Sequence, residues 1–233
     1  MTQPPPVRIG IAGILGRMGG AVATQVESDP ASSLIGGVVR PGATRLEEHT
    51  WRLETAPDAL LPDIDVLIDV SLPDATAAIA TACARHGTPL VCGVTGLDRS
   101  AMDALHAASE RIPVWYARNL SHGVSVLLRL LPALAAELKG YDVSIVERHH
   151  RHKRDAPSGT ALAFGRAIGG EPAITSVRAG GITGEHEIAF TSEVEEITIG
   201  HRALARAAFA HGAVRAAHAI HGARAGWYGP EPS

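Results

Sequence analysis

The chain has 233 residues, which is long for one compact domain and comfortable for two small ones. Hydrophobic residues make up 45% and aromatic residues 4%, so the expected core is aliphatic, as in sheets covered by helices. A formal net charge of −3 argues against nucleic acid or an anionic membrane as the main partner, and two cysteines outside any CxxC pair, Cys83 and Cys92, argue against a disulfide framework or a zinc site and fit a reducing cytoplasm.

In chain order, an apolar run at 7–12 ends at Gly13 and reads as a strand. Residues 16–27 read as a helix, with Met18, Val22 and Val26 at four-residue spacing on one face. A second apolar run spans 34–39, and residues 65–70, with the block VLIDV, read as a strand buried on both faces. Residues 73–86 are helical and close at Gly87, a C-cap. A strand at 89–94, a helix at 100–111 with Ser100 as its N-cap, and a strand at 113–117 follow. This alternation predicts βαβ units and a parallel sheet. The pattern then changes. Residues 124–138 form a Leu/Ala-rich helix that Pro132 is predicted to kink or break. A strand at 141–147, a polar loop and a helix at 158–168 lead into three strands in succession, at 174–178, 186–192 and 196–201. That succession predicts a second, α+β domain with an open mixed or antiparallel sheet. A helix at 204–221 and a Gly/Pro-rich tail end the chain. The N-terminus carries no leader pattern and no run approaches the ~18 apolar residues of a membrane span, so neither export nor insertion is expected.

The first strand–helix turn reads Gly13-Ile14-Leu15-Gly16-Arg17-Met18-Gly19. Glycines there let backbone N–H groups approach a pyrophosphate, and the helix start adds partial positive charge. Leu15 stands where the common G-x-G-x-x-G has its second glycine, so the position between strand and helix carries the reading, and an ordinary Gly-rich turn is the alternative. The end of the second strand has Arg40 and no acid. An Arg there suits a 2′-phosphate and favours NADPH over NADH, while a merely solvated Arg accounts for it equally well. Gly93-Val94-Thr95-Gly96 and Ala117-Arg118-Asn119 follow later strands in the same way.

The stretch from Glu147 to Thr160 places three His and four Lys/Arg in seven consecutive positions, 148–154, ahead of a helix that Ser158 caps. The N–H groups of Gly159 and Thr160 at that helix start are expected to face an anion, and a small dicarboxylate suits the site. Histidines there supply protons near neutral pH. Metal binding is a rival reading, but adjacent His side chains diverge and no Cys or paired carboxylate joins them. A nucleic-acid patch is another, but the run is short and lacks aromatics. A solvated basic loop is the third.

The string His149-His150-Arg151-His152-Lys153 with Asp155-Ala156-Pro157-Ser158-Gly159-Thr160-Ala161-Leu162 resembles the signature of the 4-hydroxy-tetrahydrodipicolinate reductase (dihydrodipicolinate reductase) family. Gly16-Arg17-Met18-Gly19, Gly93-Val94-Thr95-Gly96, Asn119-Leu120-Ser121-His122-Gly123-Val124, Arg178-Ala179-Gly180 and Gly184-Glu185-His186 resemble its further motifs in order. The change of pattern alone places a domain boundary near Leu120; with it, the resemblance implies an α/β chain with an N-terminal Rossmann-like dinucleotide-binding domain at 1–120, completed by about 208–233, and a substrate-binding and oligomerisation domain at 121–207. It implies reduction of 4-hydroxy-tetrahydrodipicolinate to tetrahydrodipicolinate with loss of water, in diaminopimelate and lysine biosynthesis, by a cytoplasmic homotetramer using NADPH or NADH. Matched motif by motif, it makes His149 the acid/base and Lys153 the proton donor. His150, Gly159 and Thr160 become substrate-binding residues, and Ser158 joins them as the start of the helix whose N-terminus can hold a carboxylate. Gly13, Ile14, Leu15, Gly16, Arg17 and Met18, together with Gly93, Val94, Thr95, Ala117, Arg118, Asn119 and Leu120, become dinucleotide-binding residues. The chain departs from the family at Ile14-Leu15, Arg40, Arg118 and Leu120, and by shortening around 43–56 and before Val177. A reductase of another small anionic imine and a non-catalytic dinucleotide sensor are the competing functions.

Overall fold

The computed structural model describes residues 4–43 and 51–230; residues 1–3, the 44–50 part of the shortened stretch and the end of the tail, 231–233, lie outside the described residues. The chain divides into two compact units, one of Met1–Leu120 with Phe209–Ser233 and one of Ser121–Ala208.

The first unit is a seven-stranded sheet built from β1 (Val7–Ala12), β2 (Ser32–Val38), β3 (Arg52–Glu54), β4 (Val66–Asp69), β5 (Leu90–Cys92), β6 (Pro113–Tyr116) and β11 (Gly226–Tyr228), in the order β11-β6-β5-β4-β1-β2-β3. Every pair is parallel, as the strand–helix alternation predicts. Period-two alternation sends Ile9, Ile11, Val66 and Ile68 to one face, against α1 (Arg17–Ser28) and α6 (Ala207–Ile220). Leu67, Leu90, Cys92 and Val114 go to the other, against α2 (Pro73–His86) and α3 (Arg99–Ser109). Helices on both faces make this a doubly wound, Rossmann-like sheet whose order reverses between β1 and β4.

The second unit is a four-stranded sheet ordered β10-β9-β7-β8, from β7 (Asp142–His149), β8 (Ala173–Arg178), β9 (Glu185–Thr191) and β10 (Glu196–Arg202). It is mixed: β7, β9 and β10 run antiparallel, and β8 returns parallel to β7 after α5 (Gly159–Ile168). On one face Ile145, Ile188 and Phe190 pack with Val124, Leu128 and Leu131 of α4 (His122–Glu137) and with Ala161 and Phe164 of α5. The opposite face, with Val146, Arg148, Glu187 and Thr198, carries no buried residue among the described ones.

Three local expectations are corrected. The cap of α3 is Asp98, whose side chain accepts from the Ala101 N–H at 2.8 Å, so the helix begins before Ser100. Helix α4 runs through Pro132 unbroken. The proline costs about 3 kcal/mol, but Leu128 and Leu131 before it and Leu134 and Ala135 after it pack into one core. The buried Leu128 and Leu131 each return about 1.5–3 kcal/mol, and the partly buried Leu134 and Ala135 add to that, which offsets the proline. The Gly/Pro-rich tail contributes β11, which pairs with β6. Gly87 does close α2 in the left-handed conformation, at φ +73°.

Candidate active site

In the first unit the turn after β1 is as tight as its glycines allow. Gly13 sits at φ +79°, and a Cβ there would lie 2.7 Å from the Ser71 Cα in the segment after β4, at the point where the strand order reverses. A Cβ on Gly19 would lie 2.1 Å from the Gly13 carbonyl oxygen. Gly16 enters α1 in extended backbone with no side-chain cap, and the first turn holds no acid. The result is a bare helix N-terminus at a strand end, with room for a phosphate to approach backbone. Leu15 and Arg17 are exposed and Met18 is half-buried, whereas Ile14 is buried in the core. Among the later predicted residues, Thr95 and Arg118 are exposed and Gly93 and Asn119 half-buried; Val94, Ala117 and Leu120 are buried, so only their backbones can meet a ligand. Leu120 fills the space beside Gly93, where a Cβ would come within 2.4 Å. Arg40 is exposed two residues beyond β2, on the same carboxyl edge of the sheet.

The VLIDV block, predicted as a buried strand, also carries a polar feature. Its Asp69 is fully buried and accepts from the Ser71 N–H at 3.0 Å, the Ser71 hydroxyl at 2.5 Å and the Thr76 hydroxyl at 3.0 Å. Burial raises its carboxyl pKa above the ordinary range. It orders the segment after β4 where it passes Gly13.

In the second unit the predicted residues gather at the carboxyl end of β7. Glu147 and His149, two apart, share the inner face of the strand. The carboxylate of Glu147, fully buried, accepts from His149 Nδ1 at 2.5 Å and from both terminal nitrogens of Arg178, at 2.8 and 2.7 Å. The Ser158 N–H also donates to it, at 3.1 Å. Burial alone would raise the Glu147 pKa; donation by Arg178, Ser176 and His149 overrides it and holds the group at about 2. Burial pushes the His149 imidazole below its ordinary value, against the opposing pull of Glu147.

Ser158 caps α5 by accepting from the Ala161 N–H at 3.2 Å, as predicted. Its hydroxyl also meets His186 Nε2 at 3.2 Å and is buried, so it shapes the helix start from inside. Gly159 and Thr160 form the first turn behind it, Thr160 buried and Gly159 half-buried. Lys153, half-buried in the loop, pairs with Asp155 at 2.8 Å. His150, half-buried, has its ring 6.4 Å from that of His152. Glu147, Arg178 and His186 complete this cluster and carry no predicted role. Glu147 had a legible signal, its two-residue spacing from His149; Arg178 and His186 arrive by strand pairing. His186 stands opposite Glu147 on β9, with its ring centroid 5.2 Å from that of His149, and burial followed by the repulsion of His149 and His201 lowers its pKa to about 3. Among the described residues, no group of three or more His, Cys, Asp or Glu is arranged to hold a metal.

A doubly wound parallel sheet with a glycine turn at its reversal point, in one chain with a mixed-sheet unit that presents a buried imidazole beside a basic loop, defines a nicotinamide-dinucleotide oxidoreductase of the two-unit α/β class. Residues 7–120 match the family model described as dihydrodipicolinate reductase, N-terminus, and residues 123–231 the one described as dihydrodipicolinate reductase, C-terminus. The chain is 42% identical over 227 residues to the 4-hydroxy-tetrahydrodipicolinate reductase of Xanthomonas campestris pv. campestris (strain B100), covering 96% of this chain and 95% of that one. It is 41% identical over 249 residues to that of Gluconobacter oxydans (strain 621H), covering 98% and 97%. The solved structure of dipicolinate-bound dihydrodipicolinate reductase from Paenisporosarcina sp. TG-14 superposes with a TM-score of 0.83 at 21% identity, over 96% of this chain and 97% of that one, and shares the fold. The chain belongs to the dihydrodipicolinate reductase family.

Proposed function

We propose that this chain reduces 4-hydroxy-tetrahydrodipicolinate to tetrahydrodipicolinate, with loss of water and consumption of one proton, and that it does so in diaminopimelate and lysine biosynthesis. The observation that carries the reading is His149, held by a buried carboxylate beside a basic loop and a capped helix start. The glycine turn fits a dinucleotide, because a side chain at Gly13 or Gly19 would strike backbone. The bound nicotinamide supplies hydride to C4 of the ring.

This chain's residues do the rest. His149 holds a proton beside the ring where negative charge develops. Lys153 exchanges Asp155 for a substrate carboxylate, or delivers a proton in its turn. The first turn of α5, at Gly159 and Thr160, receives a carboxylate at the positive end of the helix, with His150 beside the same loop. Arg40 favours NADPH over NADH. A dinucleotide sensor would have no use for a buried imidazole aligned by a carboxylate.

The open face of the second sheet, without a buried residue among the described ones, supports assembly through that face into a homotetramer. Cys83 and Cys92, both buried with free thiols, support a cytoplasmic setting. No described helix is long and apolar enough to cross a membrane.

The test is a coupled assay. Pyruvate and aspartate semialdehyde are condensed by the upstream synthase, this protein is added with NADPH or NADH, and the absorbance of the reduced cofactor is followed. Consumption that depends on the synthase product is the expected result. None with either cofactor, from folded protein that binds dinucleotide, would reassign the chain to another imine or to sensing.

A further inference from the structure

We infer that Glu147, clamped by Arg178, is a positioning residue that fixes His149 in the Nδ1–H tautomer and leaves Nε2 as the nitrogen that handles the proton of the reaction. The inference rests on the functional reading above for what the proton does, but not for where it sits.

Besides the imidazole, the Glu147 carboxylate is met by two nitrogens of the Arg178 guanidinium, at 2.7 and 2.8 Å, by the Ser158 N–H at 3.1 Å and by the Ser176 side chain. A carboxylate so surrounded stays ionised and can only accept. The 2.5 Å contact to Nδ1 therefore requires that Nδ1 donate, and in the neutral ring this leaves the lone pair on Nε2. Arg178 is itself fixed, donating to the Val177 carbonyl at 2.8 Å and to the Asp155 carbonyl at 2.6 Å. The second of these ties the reactive loop to β8, so the clamp sets the loop and the imidazole together. At the Nε2 edge stands Gly184, where a Cβ would lie 3.1 Å from that nitrogen. A larger residue there would press on the atom to which the inference gives the chemistry.

The charges around His149 set the sign of the test. Glu147 faces it from β7, Arg178 from β8 and His186 from β9, with Lys153 and Asp155 in the loop and Ser158 at the start of α5. His201 of β10 lies behind His186, with ring centroids 6.0 Å apart. Lys153 and Arg178 both disfavour the imidazolium, and Glu147 favours it. Neutralising Glu147 therefore lowers the pKa of His149.

The first measurement uses the wild-type protein and needs no turnover. Histidine 15N spectra, with the His149 signals identified by their loss in His149→Gln, report which nitrogen carries the proton at a pH where the ring is neutral. A protonated Nδ1 is expected; a protonated Nε2 overturns the inference. Kinetics of Glu147→Gln, which keeps the shape and removes the charge, then test the role. The kcat should fall by about tenfold or more with KM changed less than about threefold. The limb of the pH–rate profile that His149→Gln abolishes should move to lower pH, and Glu147→Asp should bring it back toward the wild-type position. Wild-type kcat and an unmoved limb in Glu147→Gln would overturn the inference. If Glu147→Gln fails to fold, the wild-type tautomer decides. A wild-type protein with protonated Nδ1 but no turnover in the coupled assay would defeat the functional reading and leave the tautomer assignment standing.

Discussion

His149 sits at the end of β7, with Glu147, Arg178 and His186 gathered around its ring. Replacing it by Gln keeps a hydrogen-bonding group near Glu147 but removes the titrating nitrogen. The kcat of His149→Gln should fall about a hundredfold or more while dinucleotide affinity stays within about twofold; steady-state kinetics with a parallel binding titration check both, and an unchanged kcat would take His149 out of the mechanism. At Arg40, an exposed cation on the carboxyl edge of the parallel sheet, charge reversal should act on one cofactor only. Arg40→Asp should weaken NADPH about tenfold more than NADH, the worth of one ionic hydrogen bond to a phosphate; equal loss for both would show that Arg40 does not touch the 2′-phosphate. The residues of the basic loop at 148–154 stand out in the sequence because they are contiguous and unusual. Arg178 and His186 do not, because each reaches His149 through strand pairing across more than 25 residues of chain, and nothing local in either segment marks that register.

Two neighbouring glycines of α1 should respond in opposite directions. A Cβ at Gly19 would lie 2.1 Å from a backbone oxygen of the preceding turn, whereas at Gly20 nothing lies within 4 Å. Gly19→Ala must push helix from strand; it should cost about 1–3 kcal/mol and weaken dinucleotide binding as the turn moves. Gly20→Ala restricts the unfolded chain without a clash and should stabilise by about 0.4–1 kcal/mol. Denaturant melts with a dinucleotide titration read both, and equal effects would refute the packing argument. The elements themselves were largely legible from periodicity, as α1, α2 and the buried β4 illustrate. The cap of α3 was misplaced because Asp98 and Ser100 are both good caps, and only the contact to Ala101 separates them. The three-residue β11 has no periodicity of its own and exists only through its pairing with β6. At Pro132 the expected break is absent because α4 fills the core on both sides of the proline, and that packing is not visible in local propensity.

For the molecule as a whole, the buried ionisable groups of the second unit set the response to acid. His186 has a folded pKa of about 3 against an ordinary 6.5, and Glu147 about 2 against an ordinary 4.5. Both are depressed, so the unfolded chain binds more protons as pH falls, and the stability they carry is present above their ordinary values and lost below them. The Tm should therefore decline from about pH 6.5 downward, first through His186 and below about 4.5 through Glu147 as well. His186→Gln should flatten the upper part of that decline; a wild-type Tm equal at pH 7 and pH 5 would contradict the assignment. The interleaving of the two units also has a consequence for synthesis on the ribosome. The second unit is one uninterrupted stretch, Ser121–Ala208, and can consolidate as it emerges. The first cannot, since Ala213, Ala217 and Ile220 of α6 pack against β1, and the edge strand β11 follows later still. The glycine turn is thus translated early but sits on a half-built core until α6 is made, so a nascent chain should become competent for dinucleotide only after its second unit has already folded.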